Sequence, residues 1–249
     1  MRMAPVQAIR IENLTKKYRD TVAVDNLNLE IYEGELFSLL GVNGAGKTTT
    51  IKMLSTLTKP TSGDAFVLGN SVTSQGAAVR SLIDISMQET AVARKLTVEE
   101  NIDFCARLAG LGKENAEAVK KSVFESFELG KVAGKQASKL SGGWQRKLSI
   151  ALALVSGPKV LFLDEPTLGL DVLARRELWR TIEALKGRMT IILTTHYMEE
   201  AEALSDRIGI MKDGRLLFVG TKDNLFALTG KGSVEDAFIE IVSGGDGNA

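Results

Sequence analysis

The stretch GVNGAGKTTT, residues 41–50, decides the fold. It follows the apolar run GELFSLLG, and the residues after it have a helical pattern. Residues 41–48 fit G-x-x-x-x-G-K-[ST], in which glycines let the main chain wrap a phosphate and a lysine reaches it. A glycine-rich turn with a chance lysine is the alternative. A strand, this loop and a helix in sequence predict an α/β fold that binds a nucleotide.

The loop residues have distinct predicted tasks. Gly41, Gly44 and Gly46 would wrap the phosphates, Lys47 would reach the β- and γ-phosphates, and the Thr48 hydroxyl would ligate Mg²⁺. The predicted nucleotide contacts in this loop are Gly41, Val42, Asn43, Gly44, Ala45, Gly46, Lys47, Thr48 and Thr49.

Three further apolar runs, SLIDISMQ, KVLFLDEP and MTIILTTH, resemble the run before the loop. Their lack of polar alternation is typical of strands covered on both faces, as in a parallel sheet between helices. Gly41, Gln88, the pair Asp164 and Glu165, and His196 each stand at or just after the end of a run. Since ligands of open α/β sheets bind at that edge, the sequence predicts one shared site.

The polar residues at this edge are the candidates for catalysis. Asp164 is predicted to hold the metal and Glu165 to polarise water, with a solvated acidic strand end as the alternative. His196, the only histidine, could contact the γ-phosphate and orient water, although a lone histidine is more often a surface or core residue. Gln88 could ligate Mg²⁺ or hold water, or lie on the surface.

Other patterns divide the chain around this core. IRIENLTKKY and TVAVDNLNLEIY alternate like antiparallel strands, and RIGIMKDGRLLFVG predicts a hairpin turning at Asp213 and Gly214. Residues 97–155 have mostly helical patterns, beginning with a capping box from Thr97 to Glu100. We expect one domain: a core at about 1–88 and 156–228, a helical part at about 89–155, and a C-terminal helix and tail at about 229–249, with SGGDGNA frayed.

Composition limits the possible partners and compartments. Lys plus Arg and Asp plus Glu both total 31, which argues against a nucleic-acid surface. The single cysteine, Cys105, excludes an internal disulfide and favours a reducing cytoplasm. No run approaches roughly 18 apolar residues, and MRMAPVQAIRIE lacks the apolar core of a signal peptide. If the protein works at a membrane, we expect another chain to supply the span.

A second phosphate-binding pattern lies in LSGGWQRKLS, residues 140–149. Ser141, Gly142 and Gly143 resemble the start of a helix that presents main-chain N–H groups to a phosphate. The loop at 41–50 already provides a stronger phosphate-binding site, so the ligand of the second pattern is left unexplained.

Taken in order, these motifs resemble the ATP-binding cassette (ABC) ATPases of membrane transporters over nearly the whole chain. Tyr18 matches the aromatic that stacks on adenine, GVNGAGKT the Walker A loop, Gln88 the Q-loop and LSGGW the signature. KVLFLDEP matches Walker B, Asp171 in GLGLD the D-loop, and His196 the switch histidine. The resemblance implies a P-loop NTPase core with a mostly parallel sheet, an N-terminal antiparallel β subdomain and an α-helical signature subdomain.

The resemblance also implies a function: an ATPase that binds ATP and Mg²⁺ and powers a separate transmembrane permease from the cytoplasmic face. In this family, signature loops bind the γ-phosphate of ATP held by a partner. The second pattern of this chain would therefore bind ATP held by a second copy or a related subunit. THYMEEAEALSDRIGIMKDGRL and SVEDAFIEIV resemble the exporter branch. A non-transport ABC ATPase, such as one for iron–sulfur assembly, is the alternative.

Two positions leave local interpretations open. Trp144 departs from the glutamine or methionine usual after SGG; we favour a packing role over a ligand contact. Ala91, Val92 and Leu96, which follow Gln88, are candidate contacts for the membrane partner, with local packing as the alternative.

Overall fold

The computed structural model describes residues 6–244. In chain order the strands are β1 (Gln7–Tyr18), β2 (Thr21–Tyr32), β3 (Leu36–Gly41), β4 (Ser62–Val67), β5 (Asn70–Ser71), β6 (Ile83–Ser86), β7 (Val160–Asp164), β8 (Thr190–Thr195), β9 (Arg207–Lys212) and β10 (Arg215–Gly220). The helices are α1 (Lys47–Leu54), α2 (Gly76–Arg80), α3 (Val98–Leu108), α4 (Lys113–Phe127), α5 (Gly142–Ala153), α6 (Val172–Glu183), α7 (Met198–Leu204), α8 (Lys222–Thr229) and α9 (Val234–Gly244).

The central sheet has the order β10-β9-β3-β8-β7-β6. All its pairings are parallel except that of the hairpin β9–β10, which turns at Asp213 and Gly214 as predicted. Every residue of β3, β7 and β8 is buried, because apolar layers cover both faces of these strands. The predicted mostly parallel core is confirmed.

Strand register brings the four predicted strand ends to one edge. Leu40 pairs with Thr195, Asp164 with Thr194, and Ser86 with Leu163. The segments that follow these strands therefore start side by side.

The N-terminal sheet is antiparallel, with the order β2-β1-β4-β5, which confirms the predicted β subdomain. Apolar residues of β1 and β2, among them Ile9 and Ile31, pack in one cluster with Phe37 and Phe162 of the central sheet. The two sheets thus form successive layers over a shared core.

Residues 98–153 contain α3, α4 and α5. Thr97 forms the predicted capping box with Glu100, which fixes where α3 begins. Buried Val98, Phe127 and Leu148 join these helices to the central sheet in a second apolar cluster. A helical region with the signature at the start of α5 is therefore present as predicted.

The C-terminal helix α9 packs Val234 and Phe238 against Leu40 and Ile208 of the sheet. The last five residues of the predicted frayed tail, 245–249, lie outside the described residues. The exact domain boundaries stay predictions.

Candidate nucleotide site

A cleft of about 530 Å³ opens at the sheet edge where the four strands end. The predicted site residues that line it are Tyr18, Asn43, Gly44, Ala45, Gly46, Lys47, Thr48, Thr49, Gln88, Glu165 and His196. Ala23 and Leu168 complete the lining. The structure thus brings together residues that are up to 178 positions apart, Tyr18 and His196 being the extremes.

The loop between β3 and α1 depends on Gly46. Its φ is +104°, and a Cβ built there would lie 2.4 Å from the carbonyl oxygen of Ala23. No side chain fits that conformation and that gap, so a larger residue would displace the loop. Helix α1 begins directly after it, which directs main-chain N–H groups and the positive end of the helix dipole into the cleft.

Lys47 is buried inside the loop. Its Nζ donates to the carbonyl oxygen of Gly41 at 2.7 Å and to that of Val42 at 3.2 Å. The same atom lies 3.3 Å from Glu165 Oε1, in an ion pair whose side chains are 6% and 8% exposed. The loop lysine is therefore charge-paired with the candidate catalytic carboxylate.

Asp164 lies at the buried end of β7, behind the loop. Its Oδ1 accepts from the Thr48 hydroxyl at 2.9 Å and from the Thr194 hydroxyl at 2.6 Å. Its Oδ2 is buried and has no hydrogen-bond partner among residues 6–244. An unpartnered carboxylate oxygen beside a hydroxyl is a donor set that suits a hard cation such as Mg²⁺, so the residues present fit that ion.

Glu165 leaves the strand in a left-handed conformation, with φ +49°. Such a conformation costs on the order of 1–3 kcal/mol for a residue other than glycine and persists only where its surroundings hold it. Here the Glu165 N–H donates to the carbonyl and hydroxyl oxygens of Thr194, both at 3.1 Å. The turn separates the tasks of the two acids: Asp164 faces Thr48, whereas Glu165 faces Lys47 and His196.

His196 follows β8 and places Nδ1 2.8 Å from Glu165 Oε2. With Glu165 ionised as an acceptor, Nδ1 carries the proton and Nε2 is the basic nitrogen. The imidazole packs on Tyr197 with ring centroids 4.2 Å apart, and Arg175 lies 5.0 Å from the centroid of the Tyr197 ring. The lone histidine therefore belongs to the cleft rather than to the core or to open surface.

Tyr18 and Gln88 form the exposed rim of the cleft. Tyr18 is 45% exposed at the end of β1, and Lys16 Nζ lies 4.9 Å from its ring centroid. Gln88 is exposed in the segment after β6. Both side chains are free to meet a ligand, and their roles stay predictions.

The second phosphate-binding pattern does not line the cleft. Ser141 and Gly142 are exposed at the start of α5, and the Ser141 side chain makes no capping hydrogen bond to that helix. A Cβ on Gly143 would lie 3.1 Å from Ala174 Cβ of α6. Asp171 Oδ1 accepts from the N–H groups of Leu173 and Ala174 and so caps α6. In this chain Asp171 and the signature lie together, outside the cleft.

Local packing explains two of the open positions. Trp144 is half-buried against the helical cluster, and Lys147 Nζ lies 4.8 Å from its ring centroid, which supports a packing role. Val92 packs against the same cluster, whereas Ala91 is exposed.

Two charged residues at the site were missed by the sequence reasoning. Arg146 of α5 is 4% exposed and donates to main-chain carbonyl groups at the end of β7 and just after β6. Glu200 of α7 is fully buried beside Trp179. Burial raises the pKa of Glu200, and this effect outweighs the lowering of the pKa by Thr195, Thr167 and Trp179. Arg146 lies within LSGGWQRKLS, but the sequence reasoning gave neither residue a role, because charged residues in a polar helix usually face solvent.

These features define a P-loop nucleoside triphosphatase. The chain belongs to the ABC transporter family, whose model matches residues 24–168, more than half of its length. It is therefore an ATPase of that family, as the motifs predicted. Among residues 6–244, no helix is both long enough and apolar enough to cross a membrane.

Two relatives and one solved structure are similar to this chain over most of its length. The chain is 41% identical to the daunorubicin resistance ATP-binding protein DrrA3 of Streptomyces coeruleorubidus, covering 90% of this chain and 71% of that protein. It is 42% identical to human phospholipid-transporting ATPase ABCA3 over 87% of this chain, but spans only 13% of that protein. A dimeric ATP-binding cassette in a post-hydrolysis state, bound to ADP and Pi, matches with a TM-score of 0.76 and 26% identity, covering 86% and 98% of the two chains.

Proposed function

We propose that this chain is the ATP-hydrolysing subunit of an exporter: it binds MgATP, dimerises around it, and drives a separate transmembrane subunit from the cytoplasmic face of the membrane. One observation carries the proposal. The chain has a cleft for its own nucleotide and a second phosphate-binding pattern, Ser141 to Gly143, that lies outside this cleft with Ser141 and Gly142 exposed.

Within the cleft, Thr48, Asp164 and Gln88 would hold Mg²⁺, which supplies positive charge beside the phosphates when bound. Lys47 would move from Glu165 to the β- and γ-phosphates, because a polyphosphate offers it more negative charge than one carboxylate. Glu165 would then be free to accept a proton from water, and His196, already bonded to its Oε2, would keep the carboxylate oriented. Tyr18 would stack on the adenine.

The arrangement of exposed apolar side chains supports a dimer. Val172 and Leu173, directly after Asp171, are 56% and 75% exposed, and Leu168 on the cleft lining is 39% exposed. Apolar groups beside a binding cleft are typical of surfaces that meet another protein. A twofold dimer would set the cleft of each copy against the signature of the other, which is the self-complementary arrangement of such interfaces.

Size-exclusion chromatography tests the dimer. Glu165→Gln keeps the shape of the site but removes the base, so bound ATP should persist and hold two copies together by mass action. Adding Ser141→Arg places a bulky cation where the partner's phosphate would lie and leaves the cleft of the same chain intact. We expect Glu165→Gln to elute as a dimer with ATP, and the double variant as a monomer that still binds ATP. A double variant that loses ATP binding as a monomer would contradict the sandwich.

A groove of about 370 Å³ beside Gln88 is the proposed contact for the membrane subunit. Its apolar lining comes from the end of β6, α3 and α5 and includes Met87, Ala91, Leu108, Leu152 and Val155. Leu108 is 71% exposed. An apolar segment in this groove would touch both the segment after β6 and the signature helix, and so would link the partner's movement to the nucleotide site.

Leu108→Glu tests this contact, with Leu228→Glu on α8, 65% exposed and outside the groove, as the matched control. The first should abolish retention on membranes from cells that contain the transporter and spare the ATPase of the isolated chain. Equal retention of both variants would rule the groove out.

We also propose that the surface does not bind nucleic acid, since the formal net charge is +0.

A further inference from the structure

Arg146 is a buried arginine that contacts two segments of the nucleotide site through their main chain. Its Nε donates to the carbonyl oxygen of Pro166 at 2.7 Å, and Nη2 donates to that of Asp164 at 2.8 Å. Nη1 donates to the carbonyl oxygens of Met87 and of Gln88, the latter at 3.3 Å. One side chain of α5 thus joins the segment after β6 to the segment after β7.

The electrostatics of this position keep the guanidinium charged at neutral pH. Burial lowers the pKa of Arg146 to about 10, and the negative charges of Asp164, Glu200 and Glu165 oppose that shift. Its hydrogen bonds, however, all go to carbonyl oxygens of the main chain. The contacts therefore hold the main chain of the two segments that carry Gln88 and Asp164.

The geometry needs an arginine. A guanidinium presents five N–H donors in one rigid plane, whereas an ammonium presents three from a single atom. Four carbonyl oxygens in two separate segments suit the first arrangement and not the second.

The same helix presents the exposed signature. Ser141 is the N-cap of α5, and Arg146 lies on the second turn of this helix. A displacement of the helix start that accompanied binding there would move Arg146, and with it the carbonyl groups of Gln88 and Asp164. These are the residues predicted to hold the cation of the chain's own site.

We propose that Arg146 is a positioning residue that relays occupation of the signature by the partner's nucleotide to the nucleotide site of its own chain. The proposal rests on the proposed dimer. It makes the two ATP sites of a dimer interdependent, since nucleotide in the cleft of one copy would contact the signature of the other copy and so affect the cleft of that other copy.

The test compares Arg146→Lys with Lys147→Arg. Lys147 is the next residue of α5 and is also buried, but its Nζ pairs with Glu177 of α6 at 3.1 Å, away from the cleft. We expect Arg146→Lys to lower turnover by about 100-fold, the effect of a misplacement of about 1 Å in a catalytic site. The Hill coefficient for ATP should fall toward one, from a limit of about two for two coupled sites. Lys147→Arg should change both by less than about threefold.

Two further measurements separate this role from folding and from dimer formation. In the Glu165→Gln background, Arg146→Lys should still give an ATP-dependent dimer by size-exclusion chromatography. Hydrogen exchange in that dimer should show ATP-dependent protection at residues 141–143 but reduced protection at residues 87–89 and 164–167.

The other outcomes overturn the proposal in distinguishable ways. Similar turnover and Hill coefficients for the two variants would exclude a relay. Loss of the dimer on Arg146→Lys would mean that Arg146 supports the signature itself. Non-native circular dichroism of both Arg146→Lys and Arg146→Gln would assign the residue to folding. Failure of Glu165→Gln alone to dimerise with ATP would refute the proposed function, and the relay would fall with it.

Discussion

The ion pair between Lys47 and Glu165 should stabilise the protein when no nucleotide is bound. Replacing Lys47 by methionine keeps the length of the side chain and removes its charge, which leaves the buried Glu165 carboxylate with His196 as its remaining side-chain partner. Replacing Glu165 by glutamine removes the opposite charge but leaves Lys47 its hydrogen bonds to Gly41 and Val42. We therefore expect the first change to be the more damaging.

The distance between the charges sets the scale of the effect. At 3.3 Å and an effective dielectric constant of about 20, the attraction is about 5 kcal/mol. Removing one partner of a buried pair costs about 3–5 kcal/mol, because the other charge is left buried and uncompensated. The double variant leaves no unpaired charge, so the coupling between the two changes should be about 2–3 kcal/mol.

Urea unfolding of the four proteins, without nucleotide and with a chelator, measures this coupling. Lys47→Met should lower the free energy of unfolding by about 3–5 kcal/mol, and Lys47→Met with Glu165→Gln should recover part of that loss. Additive effects, with a coupling below about 0.5 kcal/mol, would show that the pair does not exist in solution.

Three further predictions concern single residues of the site. His196→Ala should lower turnover by about 10²–10⁴-fold and ATP affinity much less, in single-turnover and equilibrium binding assays; equal losses would indicate misfolding. Gly46→Ala should lower stability by about 1–3 kcal/mol and abolish ATP binding, because its Cβ would meet the carbonyl oxygen of Ala23. Gly44 has a similarly positive φ of +85°, but apart from its chain neighbours no atom lies within 4 Å of a Cβ built there, so Gly44→Ala should retain more of both. Glu200 has a raised pKa, so the stability it contributes is fully present below the ordinary value of 4.5 and is lost as pH rises through the raised value. Glu200→Gln should therefore gain stability relative to the unchanged protein as pH rises above 4.5 in thermal unfolding scans, and a difference that does not change with pH would contradict this.

Much of the fold was predictable because its signals are local. The runs that became β3, β6, β7 and β8 are short, apolar and bounded by turn residues, and the hairpin and the capping box follow from residues near one another in sequence. The convergence of Gln88, Glu165 and His196 on the loop was also predictable, since parallel strands present their ends at one edge.

Residues that act through tertiary contacts carry no such signal. Arg146 and Lys147 are adjacent in a sequence that predicts an ordinary solvent-facing basic helix, yet both side chains are buried. The ion pair of Lys47 with Glu165 joins residues 118 positions apart. No rule of sequence spacing predicts which carboxylate pairs with the lysine. Asp171 has a structural role that the D-loop motif did not predict, since it caps α6. Its predicted nucleotide contact stays a prediction.

The resting contacts have a consequence for how the cleft would respond to ATP. Lys47 is held by two carbonyl groups and by Glu165, and Glu165 is held by Lys47 and His196. An incoming polyphosphate would therefore have to take Lys47 from Glu165, and only this exchange would free the carboxylate to act on water. Because Glu165 bonds to His196 at the same time, the imidazole would become its principal remaining contact once the lysine has moved. The nucleotide that attracts the lysine would thus also release the base, which links activation of Glu165 to occupation of the site.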